Sequence, residues 1–200
     1  MDVIQIVKKD HDRVEELFSR FRGGGGLTGL VKRVTGNVPA RQRRTAVERI
    51  CHELDIHARL EEEILYPAAR STGDGEIARM IDESLREHAR VKEMVRELRT
   101  GKYEGEELDN RVTALEECVS HHVNEEEGEM LPRLEEVTSP EQRTDLGRRF
   151  QSGKRRSAPR ARKATARARA TRAGGRRRVA RATKGTRQKK RARRRTAQRK

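Results

Sequence analysis

Along the first 150 residues, apolar side chains recur at steps of three and four, the spacing of one face of an α-helix. Ile4, Val7, Val14, Phe18 and Phe21 mark a first helix over residues 2–21, with His11 inside the apolar stripe. The run Gly23 to Gly26 ends it and opens a long connection to Pro39. Leu27, Leu30, Val31 and Val34 in that connection allow either one or two helical turns over a bundle end or a mobile insertion. A second helix is predicted from about Ala40 to Arg70, with Val47, Ile50, Leu54 and Ile64 beside His57, and Pro67 is expected to kink or stop it. After the turn Ser71 to Gly75, a third helix over residues 76–100 aligns Ile77, Met80, Ile81, Leu85, His88, Val91, Val95 and Leu98. The fourth, from about Glu106 past Met130 to the neighbourhood of Pro132, aligns Val112, Leu115, Val119 and His122. Ser139 and Pro140 read as the N-cap and first position of a short last helix ending near Gln151, with Leu146 and Phe150 docking on the rest.

Four long helices without strand signals predict an all-α fold, an antiparallel four-helix bundle with a short extra C-terminal helix. Each long helix carries one histidine in its apolar stripe. A single one would read as a satisfied core histidine; four change the picture, because two head a repeated frame. His57-x3-Glu61-Glu62-x4-Pro67 recurs 65 residues later as His122-x3-Glu126-Glu127-x4-Pro132. A spacing of four puts the imidazole and first carboxylate one turn apart on the same face, where both reach a common metal. An ionised carboxylate buried without a partner is costly, and no Lys or Arg lies in the stripe to balance it. His121 and Glu125 are also four apart. The ten-residue step to the proline and the stripe of Leu115 and Val119 favour His122 with Glu126, leaving His121 and His52 as flank residues. Glu62, Glu63, Glu125 and Glu127 read as a solvated face.

Charge divides the chain. Residues 151–200 carry 23 Lys and Arg and no Asp or Glu, while residues 1–150 hold 25 basic and 32 acidic residues, a net of −7, so the overall +16 belongs to the end of the chain. This predicts a bundle over residues 1–151 and a disordered basic tail over 152–200. Such a tail gains sequence-independent affinity for DNA or RNA by releasing phosphate counterions. No aromatic follows Phe150, which argues against reading single strands by stacking. The expected phosphate contacts are Lys154, Arg155, Arg156, Arg176, Arg177, Arg178, Lys189, Lys190, Arg191, Arg193, Arg194 and Arg195. Anionic lipid and polyphosphate are alternative polyanions; a merely solubilising tail would need far fewer charges. Cys51 and Cys118 form no C-x-x-C pair, and the chain start lacks a basic, apolar leader, which predicts a cytoplasmic location with nucleoid association through the tail. No membrane span is expected.

The set His11, His57 with Glu61, Glu87-His88, and His122 with Glu126 resembles the hemerythrin-like HHE cation-binding domains over about residues 1–150. The resemblance implies two irons, His11 and His57 on one and His88 and His122 on the other, with Glu61 and Glu126 bridging. Oxygen-carrying members add a histidine one turn from that of the third helix, where this chain has Ser84 and Lys92. The remaining nitrogen and oxygen donors suit iron, or manganese, rather than a Cys-rich zinc site. Positions left open to water or ligand imply sensing of, or reaction with, O2, NO, peroxide or iron rather than simple carriage. Two other readings stand beside this one: a non-haem di-iron oxidase or a peroxidase- or catalase-like enzyme, and a nucleoid-associated DNA-binding protein.

Overall fold

In the computed structural model the described residues are 1–23 and 40–157. Helix α1, Val3–Phe21, is capped by Asp2, whose Oδ1 accepts from the Ile4 N–H at 2.9 Å, and it runs out into Gly23 at φ +86°. Helix α2, Ala40–Leu60, passes through a π turn, Glu61–Leu65, into α3, Tyr66–Arg70. Asp74 caps α4, Gly75–Thr100, by accepting from Glu76 and Ile77 N–H groups, each at 3.0 Å. Helix α5, Gly105–Glu125, repeats the pattern of α2, with a π turn, Glu126–Met130, leading into α6, Leu131–Val137. Pro140 opens α7, Pro140–Ser157. The segment around Leu27 to Val34 and the tail residues from 158 onward lie outside the described residues.

Two expectations are corrected. The fourth rod does not end near Pro132 but runs on to Val137, while the second reaches Arg70 as predicted, so helix follows both Pro67 and Pro132. Each sits second in the segment after a π turn, where the N–H groups of Tyr66 and Leu131 bond carbonyls five residues back, at Glu61 and Glu126. Widening the turn by one residue relieves the crowding a proline ring imposes on the preceding turn. The helix then continues. The second correction is α7, which is not short: it extends six residues past Gln151 to Ser157. Its Leu146 and Phe150 are buried as expected. Buried Arg143 ties the corner between α6 and α7 to the chain start, its Nε donating to Asp2 at 2.8 Å and its Nη1 to the Thr138 carbonyl at 2.6 Å.

The four long rods pack antiparallel, with α7 laid along α1 and α2. The apolar interior falls into two clusters. One gathers Val3, Ile4, Ile6, Val7, Leu60, Ile64, Leu65, Tyr66, Ile77, Ile81, Met130, Leu131, Leu134, Leu146 and Phe150. The other gathers Val14, Phe18, Phe21, Val47, Ile50, Leu54, Val91, Val95, Leu98, Leu108, Val112, Leu115 and Val119. Every rod crosses from one cluster to the other at its histidine. The bundle therefore consists of two hydrophobic cores with one polar layer between them.

Candidate metal centre

That layer contains His11, His57, Glu61, His88, His122 and Glu126, all buried, with both carboxylates at 0–1 % exposure. Nε2 of His11 lies 3.0 Å from Nε2 of His57, and Nε2 of His88 lies 3.2 Å from Nε2 of His122. Glu61 spans the two pairs: Oε1 is 3.2 Å from His57 Nε2 and Oε2 is 3.4 Å from His88 Nε2. Glu126 reaches towards both pairs through one oxygen, Oε2, 3.1 Å from His11 Nε2 and 3.9 Å from His122 Nε2. Two groups of ligand atoms result, His11, His57, Glu61 and Glu126 in one and Glu61, His88 and His122 in the other.

The outer face of each ring carries a second carboxylate. Nδ1 of His11 is 2.7 Å from Glu127, Nδ1 of His88 is 3.0 Å from Glu62, and Nδ1 of His122 is 2.8 Å from Glu87. Asp10 stands 3.9 Å from Nδ1 of His57. Glu62 and Glu127 are therefore not a solvated face but hold rings contributed by other helices. Their signal was present in the repeat itself, since both frames read Glu-Glu. Asp10 and Glu87 directly precede His11 and His88, and each supports the histidine of the neighbouring helix. The four contacts close a ring with approximate two-fold symmetry.

With Nδ1–H donated outward to a carboxylate, a neutral imidazole presents a bare lone pair at Nε2. Two such lone pairs facing each other at 3.0 and 3.2 Å, beside two carboxylates, need positive charge between them. Both oxygens of Glu61, Oε2 of Glu126 and Nδ1 of His57 are buried without a hydrogen-bond partner. Burial pushes the Glu61 carboxyl well above the usual range, and the charge of Glu126 adds to the shift. Burial also raises Glu126, but His11 beside it and then the other nearby imidazoles hold it down to about 2. Burial, then the neighbouring His122, pushes His88 down to about 4. Protons alone thus balance the layer poorly. The donor set fits one or two divalent cations.

Tyr66 breaks the two-fold symmetry, because the corresponding residue of the other half is Leu131. Its buried hydroxyl is 3.4 Å from Nε2 of His88 and 3.5 Å from Oε1 of Glu126, and its ring stacks on His88. On the side of the second core, a cavity of about 20 Å³ touches all four histidines and is otherwise lined by Val14, Leu54, Ala58, Val91, Val119 and Val123. Of the residues expected to meet phosphate, Lys154 turns inward to pair with Asp10, while Arg155 and Arg156 are exposed on the last turn of α7. The others lie outside the described residues. Among the described residues no helix is long and apolar enough to cross a membrane.

The sequence matches the family model of the hemerythrin HHE cation-binding domain over residues 2–134. A crystal structure of a hemerythrin HHE cation-binding domain-containing protein from Mycobacterium kansasii superposes with a TM-score of 0.62 at 19 % identity, covering 78 % of this chain and 87 % of that one. A DNA nickase of Nostoc sp. is 25 % identical over 155 residues, 77 % of this chain but only 39 % of that protein, so the chain spans about two-fifths of the length of this relative.

Proposed function

The chain belongs to the hemerythrin HHE cation-binding family, and we propose that its buried layer holds two iron ions, manganese being the alternative, for sensing or reacting with O2, NO or peroxide. His11 and His57 would hold one ion and His88 and His122 the other, with Glu61 and Glu126 shared. The observation that carries this is the span of Glu61, whose two oxygens are divided between His57 and His88 at 3.2 and 3.4 Å. A carboxylate so divided, buried and without a hydrogen-bond donor would be suited to hold a cation on each side.

Bound iron would supply one-electron chemistry and an open position for a small ligand. The chain's own residues set the terms. Glu62, Glu87 and Glu127 orient the rings of His88, His122 and His11 and keep their Nε2 free of a proton, while Asp10 stands 3.9 Å from the fourth ring, His57. The apolar cavity has room for about one water-sized molecule, and its valine and leucine walls favour an uncharged diatomic over water or an anion. The Tyr66 hydroxyl, beside Glu126 and His88, is placed to donate a proton at the rim of the layer.

The basic tail gives the second part of the reading, a tether to DNA or RNA. Its support is the 23 Lys and Arg without an acidic residue in positions 151–200 and the likeness of 155 residues of this chain to part of a protein described as a DNA nickase. Anaerobic reconstitution with ferrous iron, elemental analysis, and exposure of the loaded protein to NO, O2 and hydrogen peroxide in parallel test the first part. Two irons per chain and a spectral change with at least one of these ligands are expected. Protein that takes up no iron would overturn it.

A further inference from the structure

The four carboxylates that support the histidines are themselves backed by positive charge, with one exception. Asp10 pairs with Lys154, Glu62 with Lys92 at 2.6 Å, and Glu127 with Lys8 at 3.7 Å. The two-fold pattern calls for a cation behind Glu87 as well. Among the described residues, neither Glu87 nor its neighbour Glu125 has a Lys or Arg within pairing distance. Instead Nε2 of His121 faces both, 3.5 Å from Oε1 of Glu87 and 3.2 Å from Oε1 of Glu125.

Both distances are longer than the roughly 2.7–2.9 Å of a charge-assisted hydrogen bond. They match instead the edge of a coordination tetrahedron, about 3.4 Å for ligand bonds near 2.1 Å. Comparable separations, 3.1, 3.2, 3.4 and 3.9 Å, occur between imidazole Nε2 and carboxylate in the buried layer. The three ligand atoms lie within 4.8 Å of one another. Glu87 is held in place from behind, since its other oxygen takes the His122 Nδ1–H at 2.8 Å. His121 and Glu125 stand one turn apart on α5, at side-chain exposures of 67 % and 42 %, so the group opens to solvent.

The geometry points to a third divalent-cation site on the bundle surface, formed by His121, Glu125 and Glu87, in which the ion takes the place that lysine holds behind the other three carboxylates. One imidazole and two carboxylates with water completing the shell suit zinc or ferrous iron. An ion bound there sits one carboxylate away from His122, so the outer and inner sites share Glu87. The site does not require the buried layer to be dinuclear.

The test is an anaerobic titration of tag-free, iron-loaded full-length protein with Co2+, following visible absorption and measuring iron and cobalt in the same samples. One equivalent of cobalt is expected without loss of iron. His121→Ala and Glu125→Gln should each weaken its binding at least tenfold while keeping the wild-type iron content, and His52→Ala should change neither. No cobalt beyond exchange with iron, or equal cobalt binding by the His121→Ala/Glu125→Gln double variant, would overturn the site. Iron content is read separately, so a failure of the di-iron reading shows itself independently of the cobalt difference between wild type and variants.

Discussion

Glu62, on the π turn after α2, accepts a hydrogen bond from Nδ1 of His88 on α4 at 3.0 Å, and Lys92 holds the same carboxylate at 2.6 Å. The contact fixes which nitrogen of His88 faces the polar layer. Glu127 does this for His11 at 2.7 Å. Replacing Glu62 or Glu127 with Gln should lower iron affinity about 10- to 100-fold with the fold intact. Competition with a chelator, alongside circular dichroism, measures both. Unchanged affinity in the double variant would mean that these carboxylates are only surface charge.

Removing a ring from the layer has a larger effect. His57→Ala and His122→Ala should lose most of the bound metal, whereas His121→Ala and His52→Ala should keep the iron of the buried layer. Elemental analysis decides, and loss with His121→Ala would shift the ligand frame on α5 by one residue. Metal-free protein should melt at a lower temperature than loaded protein, because Glu61 and Glu126 lose the cation between them.

Two glycines should respond in opposite ways. A Cβ on Gly147 would collide with the Met1 carbonyl and crowd Ile6 and the Val3 nitrogen, where α7 crosses α1. Gly147→Ala should cost about 1–3 kcal/mol. Gly128, in the second π turn, has nothing within 4 Å of that position. Gly128→Ala should be neutral or stabilise by about 0.5–1 kcal/mol. Thermal melts of both variants check the contrast.

Burial raises the Cys51 thiol from 9.0 up to about 11. Below pH 9 the folded and unfolded chains both hold the proton; between pH 9 and 11 only the unfolded thiol gives it up, so stability falls as pH rises through this window. The whole effect is about 3 kcal/mol. Cys51→Ala should flatten the alkaline limb of a denaturation series, and in native protein Cys51 should react with thiol reagents more slowly than half-buried Cys118.

Truncation after Ser157 should abolish binding to duplex DNA while preserving the bundle. A cut after Gln151 would also remove Lys154 and leave Asp10 without its partner. If about ten tail cations meet phosphates, log affinity should fall with log salt at a slope near −9. Gel-shift titrations over a salt series give the slope; DNA binding by the truncated protein would place the interface on the bundle.

The four rods, the histidine in each and the two paired frames were legible in the sequence, because helical periodicity is local and burial of apolar residues at steps of three and four leaves few alternatives. His57 with Glu61 and His122 with Glu126 could be read for the same reason: both members of each pair sit on one helix. The partners of the second carboxylates could not be read this way. Glu62 meets His88 and Glu127 meets His11 across the bundle, contacts fixed by how the rods are rotated against one another, and a Glu followed by another Glu looks the same facing solvent as facing a ring. The π turns were hidden too, since a proline in a helical pattern signals a stop unless the preceding turn widens, and that depends on whether the carboxylate at its start is drawn into the core. The reach of α7 to Ser157 was settled by Lys154 finding Asp10, a pairing between residues 144 apart in sequence. Periodicity thus determined most of the residues that face inward, although Leu85, aligned with them on α4, is 37 % exposed. Only the packing of the helices decided which of them meet.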